Sequence, residues 1–108
     1  MSEAQCMRYP IKPGRRDALV EWIAGLEGRS AEVAEALAES GLLAEAVFLE
    51  NSGDGDCLLI YTSARNLEAA NQSLASSDLP LVREFNQLMV EAVDIEKAAS
   101  LELVFHTP

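Results

Sequence analysis

Residues 42–63 read LLAEAVFLENSGDGDCLLIYTS, and the fold turns on how this stretch is paired. Two apolar runs flank SGDG, residues 52–55, the pattern of a β-hairpin closed by a short Gly/Asp turn. In the first run Leu43, Val47 and Leu49 share one face, and Leu42, Ala46 and Phe48 the other. In the second run Leu59 opposes Leu58 and Ile60. A sheet with helices on one side and water on the other alternates cleanly between apolar and polar residues. This hairpin does not alternate, so its second face also needs cover.

Upstream lies KPGRRDALVEWIAGLEGRSAEVAEALAESG, residues 12–41. Leu19, Trp22, Ile23, Leu26, Ser30, Val33, Ala34 and Leu37 recur at helical spacing. Gly25 and Gly28 interrupt the stripe, each costing about 1 kcal/mol against alanine in a helix. The spacing predicts one long helix, loosened near Gly28 and stopped by Gly41. Asp17 and Glu21 lie toward its start, where negative charge suits the helix dipole. Before it, Gln5–Ile11 alternates Gln5, Met7, Tyr9 and Ile11 against Cys6, Arg8 and Pro10. That is a strand which Pro10, lacking an N–H, should fray or leave unpaired. Downstream, Asn66 is placed to cap a short helix running to about Ser76. Asp78 is placed to cap another, with Pro80 in its first turn and a stripe of Leu81, Phe85, Leu88, Met89 and Ala92. The last strand is read as Ser100–Thr107.

Strand, helix, strand, strand, helix pair, strand is the split βαβ order of ferredoxin-like α+β folds. Right-handed crossovers then give a four-stranded antiparallel sheet in the order 4-1-3-2, with helices on one face. The helical stripes, from Leu19 to Met89, should cover one sheet face. Met7, Tyr9, Leu101, Leu103 and Phe105 are assigned to that same face. The other face would be buried by a second copy across a two-fold axis.

From MRYPIKPGRRDALVEWI through EAVFLE, CLLIYTS and LELVFH, the chain resembles the dimeric α+β barrel superfamily. Within it, the chain is most similar to small bacterial ferredoxin-like proteins with no assigned function. The resemblance rests on element order and pattern and implies a ferredoxin-like fold and a homodimer. Other members include antibiotic-biosynthesis monooxygenases, stress-responsive barrel proteins, muconolactone isomerases and haem-degrading enzymes. They share a barrel and differ in chemistry, so the resemblance by itself selects no reaction.

The 108 residues suit a single domain, 1–108, and about half of them are apolar, as in globular chains. Eighteen acidic against eight basic side chains give a net charge of −10, which disfavours nucleic acid and anionic membranes as partners. No apolar run approaches the roughly 18 residues of a membrane span. MSEAQCMRYP lacks the pattern of an export signal, so a cytoplasmic location is expected. Cys6 and Cys57 sit in no metal-binding spacing. Each lies near the start of its strand, and with the two strands read as parallel neighbours they are expected to be close together and reduced. No metal and no cofactor is expected.

Three groups carry the candidate chemistry. His106, the single histidine, shares a strand face with Glu102, and Arg8 lies on the neighbouring strand. Together they make either a tuned acid/base group or a solvated strand end. Glu45 stands between Ala44 and Ala46 in an otherwise apolar strand. It is either a carboxyl with a raised pKa or an exposed residue at the sheet margin. Tyr61, with Tyr9, offers a phenol to a substrate or simply packs. Trp22 falls in the helical stripe and reads as core. In oxygenase relatives a tryptophan, a tyrosine and an asparagine line the cavity, which marks Trp22 and Tyr61 by position only. His106, Glu45 and Tyr61 are thus the candidate acid/base residues, and Arg8, Trp22 and Glu102 the candidate ligand contacts. KPGRR reads as an anion site or as a turn with solvated charges; it carries no nucleotide-binding motif. Three uses of such a chain are open: binding a small apolar or aromatic molecule, cofactor-free monooxygenase or isomerase catalysis, or a dimeric interaction module.

Overall fold

The computed structural model describes residues 2–107. Its strands are β1 (Glu3–Pro10), β2 (Leu42–Ser52), β3 (Gly55–Ala64) and β4 (Ala99–Ser100). Its α-helices are α1 (Arg16–Ala24), α2 (Ser30–Ser40), α3 (Leu67–Ser76) and α4 (Pro80–Ala92). The sheet order is β2-β3-β1-β4 with every pair antiparallel, which is the 4-1-3-2 order expected from the pattern.

The glycines divide the long helical stretch. Gly25–Arg29 winds as a 3₁₀ turn between α1 and α2, so the helix breaks where Gly25 and Gly28 weaken it. Gly41 ends α2 at φ +80, a left-handed conformation open to glycine, and its N–H donates to the Leu37 carbonyl. Asn66 caps α3, its Oδ1 accepting from the Ala69 N–H at 3.0 Å. Asp78 does not cap α4; Leu79 occupies that position and Pro80 opens the helix, filling a site where no N–H is needed.

A bulge corrects the expected faces of the hairpin. Leu42 pairs with Ala64 and Ala44 with the adjacent Ser63, leaving Leu43 as the extra residue. Leu42 therefore turns inward with Ala64 and Ala70, while Leu43 is exposed. Beyond the bulge, Glu45, Val47 and Leu49 align with Thr62, Ile60 and Leu58 on the helix-covered face. Ala46 and Phe48 align with Tyr61 and Leu59 on the open face. A one-residue slip flips a strand's side chains, which is why the bulge decides where Glu45 points.

The core sits between sheet and helices. Leu19, Leu58, Ile60, Met89, Ala92 and Val93 form one buried cluster, with Tyr9, Ile23, Phe85 and Leu88 against it. Trp22, Leu26 and Val33 pack around Ala36, Leu81 and Val82, and Leu37 joins Leu42. Every residue of the expected helical stripes lies in these clusters except Ser30 and Ala34, which are exposed.

Two further expectations fail. The last strand is Ala99–Ser100 alone, because β1 contacts it only through Met7, Arg8 and one further bond, Leu101 N to Cys6 O at 2.9 Å. From there the chain leaves the sheet. Leu101, Leu103 and Phe105 do not join Met7 and Tyr9 under the helices; they are exposed, Phe105 at 79% and its neighbour Val104 at 89%. The cysteines are free but not adjacent. β1 and β3 run antiparallel, so Cys6 pairs with Tyr61 and Cys57 with Pro10. That offset of four residues is about 13 Å along the strand, far beyond disulfide reach.

Candidate functional site

A cavity of about 100 Å³ lies between the sheet and α1, α2 and α4. Its wall is mostly apolar, with Trp22, Leu26, Val33, Leu74, Leu81 and Phe85 prominent. Two polar side chains line it, Glu45 and Asn86. Trp22 and Phe85 set one side, their rings tilted at 32° with centroids 5.8 Å apart. The Asn86 amide is fixed by donating to the Leu74 carbonyl at 3.0 Å.

Glu45 reaches this space because the bulge at Leu43 turns it inward. β2 is an edge strand, so the residue as a whole stays exposed, while loss of water around its carboxyl raises its pKa above the ordinary value. Among the described residues the carboxyl has no ion pair or hydrogen bond. Trp22, read from its spacing as plain core, is half-buried and lines the cavity. Asn86 was missed by sequence reasoning, since a polar residue in an amphipathic helix ordinarily marks the wet face. The only available signal was its place next to Phe85 in the α4 stripe.

The other candidates lie elsewhere. Tyr61 and Arg8 are on the open sheet face, where Arg8 Nη2 pairs with Glu50 Oε1 at 2.7 Å. Tyr9 is on the helix side, where burial raises its phenol pKa. His106 Nε2 lies 3.1 Å from Ser2 Oγ. Glu102 is exposed on the extended C-terminal segment. The expected Arg8–Glu102–His106 group does not form, because the strand ends at Ser100 and Arg8 turns to Glu50 instead. Of Glu45, Tyr61 and His106, the cavity receives only Glu45. The KPGRR segment is held as a turn, Arg16 pairing with Asp17 at 2.9 Å and Asp56 at 3.0 Å.

Comparison with known families bears on this architecture. A family model described as "Family of unknown function (DUF6176)" matches residues 2–108. The chain belongs to that family. No curated protein matches it in sequence. Among solved structures, a dimeric protein of unknown function and ferredoxin-like fold from Bacteroides fragilis superposes with a TM-score of 0.63 at 14% identity, covering 96% of each chain. A proposed antibiotic biosynthesis monooxygenase from Nitrosomonas europaea gives 0.59 at 10% identity, over 93% of this chain and 86% of that one. SnoaB, a cofactor-independent oxygenase from Streptomyces nogalater, gives 0.58 at 9% identity, over 99% and 95%. At such identities the likeness establishes the fold: this DUF6176 protein is ferredoxin-like, with monooxygenase-type proteins among its structural neighbours. No helix of the described chain is long and apolar enough to cross a membrane.

Proposed function

We propose that this DUF6176 protein is a homodimer that binds a small apolar or aromatic molecule in the cavity between its sheet and helices. The observation that carries the reading is the cavity itself, an apolar space edged by Trp22 and Phe85 with few polar groups converging on it. The open sheet face, with Ala46, Phe48 and Leu59, and the exposed C-terminal segment form the surface on which the second copy packs. Tyr61, Arg8, Glu102 and His106 then belong to the dimer contact or its rim rather than to the ligand. The unbridged Cys6 and Cys57 suit a reducing cytoplasm.

Cofactor-free catalysis has weaker support. It needs at least two acid/base groups facing one cavity, and the three candidates lie in three places. Glu45 alone is available to a bound molecule. A thermal-shift screen of single-ring aromatics tests the binding reading. Ligands that stabilise the wild type should leave Ala36→Phe unmoved, because a phenyl ring at this buried wall position fills the cavity. Equal stabilisation of both proteins would reject the cavity as the site.

A further inference from the structure

The cavity is not sealed. A second, open groove of about 440 Å³ runs along the outside of α2 against the edge strand β2. Leu26, Val33, Leu37, Glu45 and Val47 line both spaces, so the groove adjoins the cavity across these side chains. Its rim includes the 3₁₀ turn through Leu26 and Glu27. Glu45 stands at the threshold between the two spaces, and Glu27 lines the outer one.

The charge pattern of this passage is one-sided. Two carboxylates line it, and among the described residues no lysine, arginine or histidine lines either space. Neither Glu27 nor Glu45 has an ion-pair partner among the described residues. Arg29, the nearest cation in sequence, is occupied by Glu32 and Glu84 at 2.6 and 2.8 Å. An anionic ligand would meet uncompensated repulsion here, made worse by a net charge of −10. A neutral ligand would leave the Glu45 carboxylate partly stripped of water with nothing in exchange. A cation would supply the missing partner, and a charge-assisted hydrogen bond to a carboxylate is among the strong ones. An engineered cavity of about 150 Å³ is known to hold a benzene ring, so a space of about 100 Å³ adjoining an open groove suits one small ring or a branched alkyl group.

We infer that the ligand is a small apolar amine, its ring or alkyl body in the cavity and its ammonium against Glu45, with Glu27 guiding it in. This rests on the cavity-binding reading above and deepens it. The test is a calorimetric or NMR titration at neutral pH and low salt with three probes of one shape: benzylamine, benzyl alcohol and benzoate. The wild type, Glu45→Gln and Ala36→Phe are compared. Benzylamine should bind wild type at least about tenfold more tightly than benzyl alcohol, a difference of about 1.4 kcal/mol. Benzoate should bind most weakly. Glu45→Gln should remove the preference and keep the affinity for benzyl alcohol; Ala36→Phe should remove binding of both.

Equal affinity for amine and alcohol, or preference for benzoate, overturns the amine while leaving the cavity reading in place. Benzylamine binding that survives Ala36→Phe is counter-ion attraction to an acidic surface and overturns the amine too. If none of the probes binds, cavity reading and amine fall together.

Discussion

Arg29 meets Glu84 at two points, Nη1 donating to Oε1 at 3.0 Å and Nη2 to Oε2 at 2.8 Å. The same guanidinium holds Glu32 through Nε at 2.9 Å and Nη2 at 2.6 Å. It also lies 6.0 Å from the ring centre of Trp22, whose indole N–H points at Glu84 across 3.5 Å. One side chain thus ties the 3₁₀ turn to α2 and α4 and steadies the tryptophan that edges the cavity.

The pH dependence of this tie has a definite sign. Hydrogen bonds from Arg29 hold the carboxyls of Glu32 and Glu84 below their ordinary values. Their stabilisation is present above the ordinary glutamate pKa and is lost as pH falls through the lowered folded values. Arg29→Met should therefore flatten the acid limb of the stability curve and shift the Trp22 indole N–H resonance. An unchanged acid limb would assign acid sensitivity to other carboxylates. The two carboxyls are exposed and Arg29 is half-buried, so the effect should shrink in high salt.

Glu45 has the opposite sign. Its folded pKa is raised, so the native state holds the proton more tightly than the unfolded chain. Stability from this group falls as pH rises from the ordinary glutamate value through the raised one. Glu45→Gln should make the protein slightly more stable than wild type near neutral pH, with the difference vanishing in acid. Urea midpoints across that range measure it. A variant that is less stable at every pH would mean that the carboxylate has a partner in the native state.

Core truncations should separate packing from cavity lining. Leu19 is fully buried at the centre of the main cluster, and Leu19→Ala should cost about 2–5 kcal/mol. Trp22 is half-buried and faces a space already partly empty. Trp22→Ala should cost less than the roughly 3–5 kcal/mol of a fully packed tryptophan, while weakening ligand binding. Chemical denaturation of both variants checks the order. A greater loss at Trp22 would place it in the core, as its spacing alone implies.

The strand order was legible because the apolar periods of the helices and the two-sided hairpin leave few topologies. The end of the long helical stretch could be read from Gly41, but the stretch reads as one helix loosened near Gly28, whereas the structure divides it in two at Gly25–Arg29. The orientation of Glu45 could not be read, because it depends on the extra residue at Leu43 and nothing in LLAEAVFLE marks a bulge. The extent of the last strand was misread for a related reason. Leu101, Leu103 and Phe105 alternate as a buried strand would, yet in a single chain nothing covers them. Alternation marks a face that could be buried, and it does not say whether the helices of the same chain reach it. The site was legible only in part: Glu45 and Trp22 stood out by type and position, whereas Asn86 is brought to the cavity by the pitch of α4.

The exposed C-terminal segment and the open sheet face together argue for the dimer. Leu103, Val104 and Phe105 are exposed at 57%, 89% and 79%, and Phe48 on the sheet at 57%. A soluble chain rarely leaves a contiguous apolar patch of more than a few hundred Å² in water. The segment leaves the sheet after the Leu101–Cys6 bond, at the far edge from β2, and does not cover the open face. A second copy related by a two-fold axis would cover both surfaces with the same self-complementary contact. Such an interface should bury on the order of 2,000 Å² in total, as obligate homodimers do. Light scattering at low micromolar concentration should therefore give twice the 11.7 kDa chain mass. Phe48→Glu and Phe105→Glu should each shift the mass toward the monomer, since either carboxylate would be buried without a partner. Val90→Glu, an equally exposed apolar position on α4, should leave the dimer intact. A wild-type monomer under these conditions would overturn the dimer and leave the C-terminal segment without a partner. A dimer indifferent to Phe48 but broken at Phe105 would instead place the contact on the C-terminal segments alone.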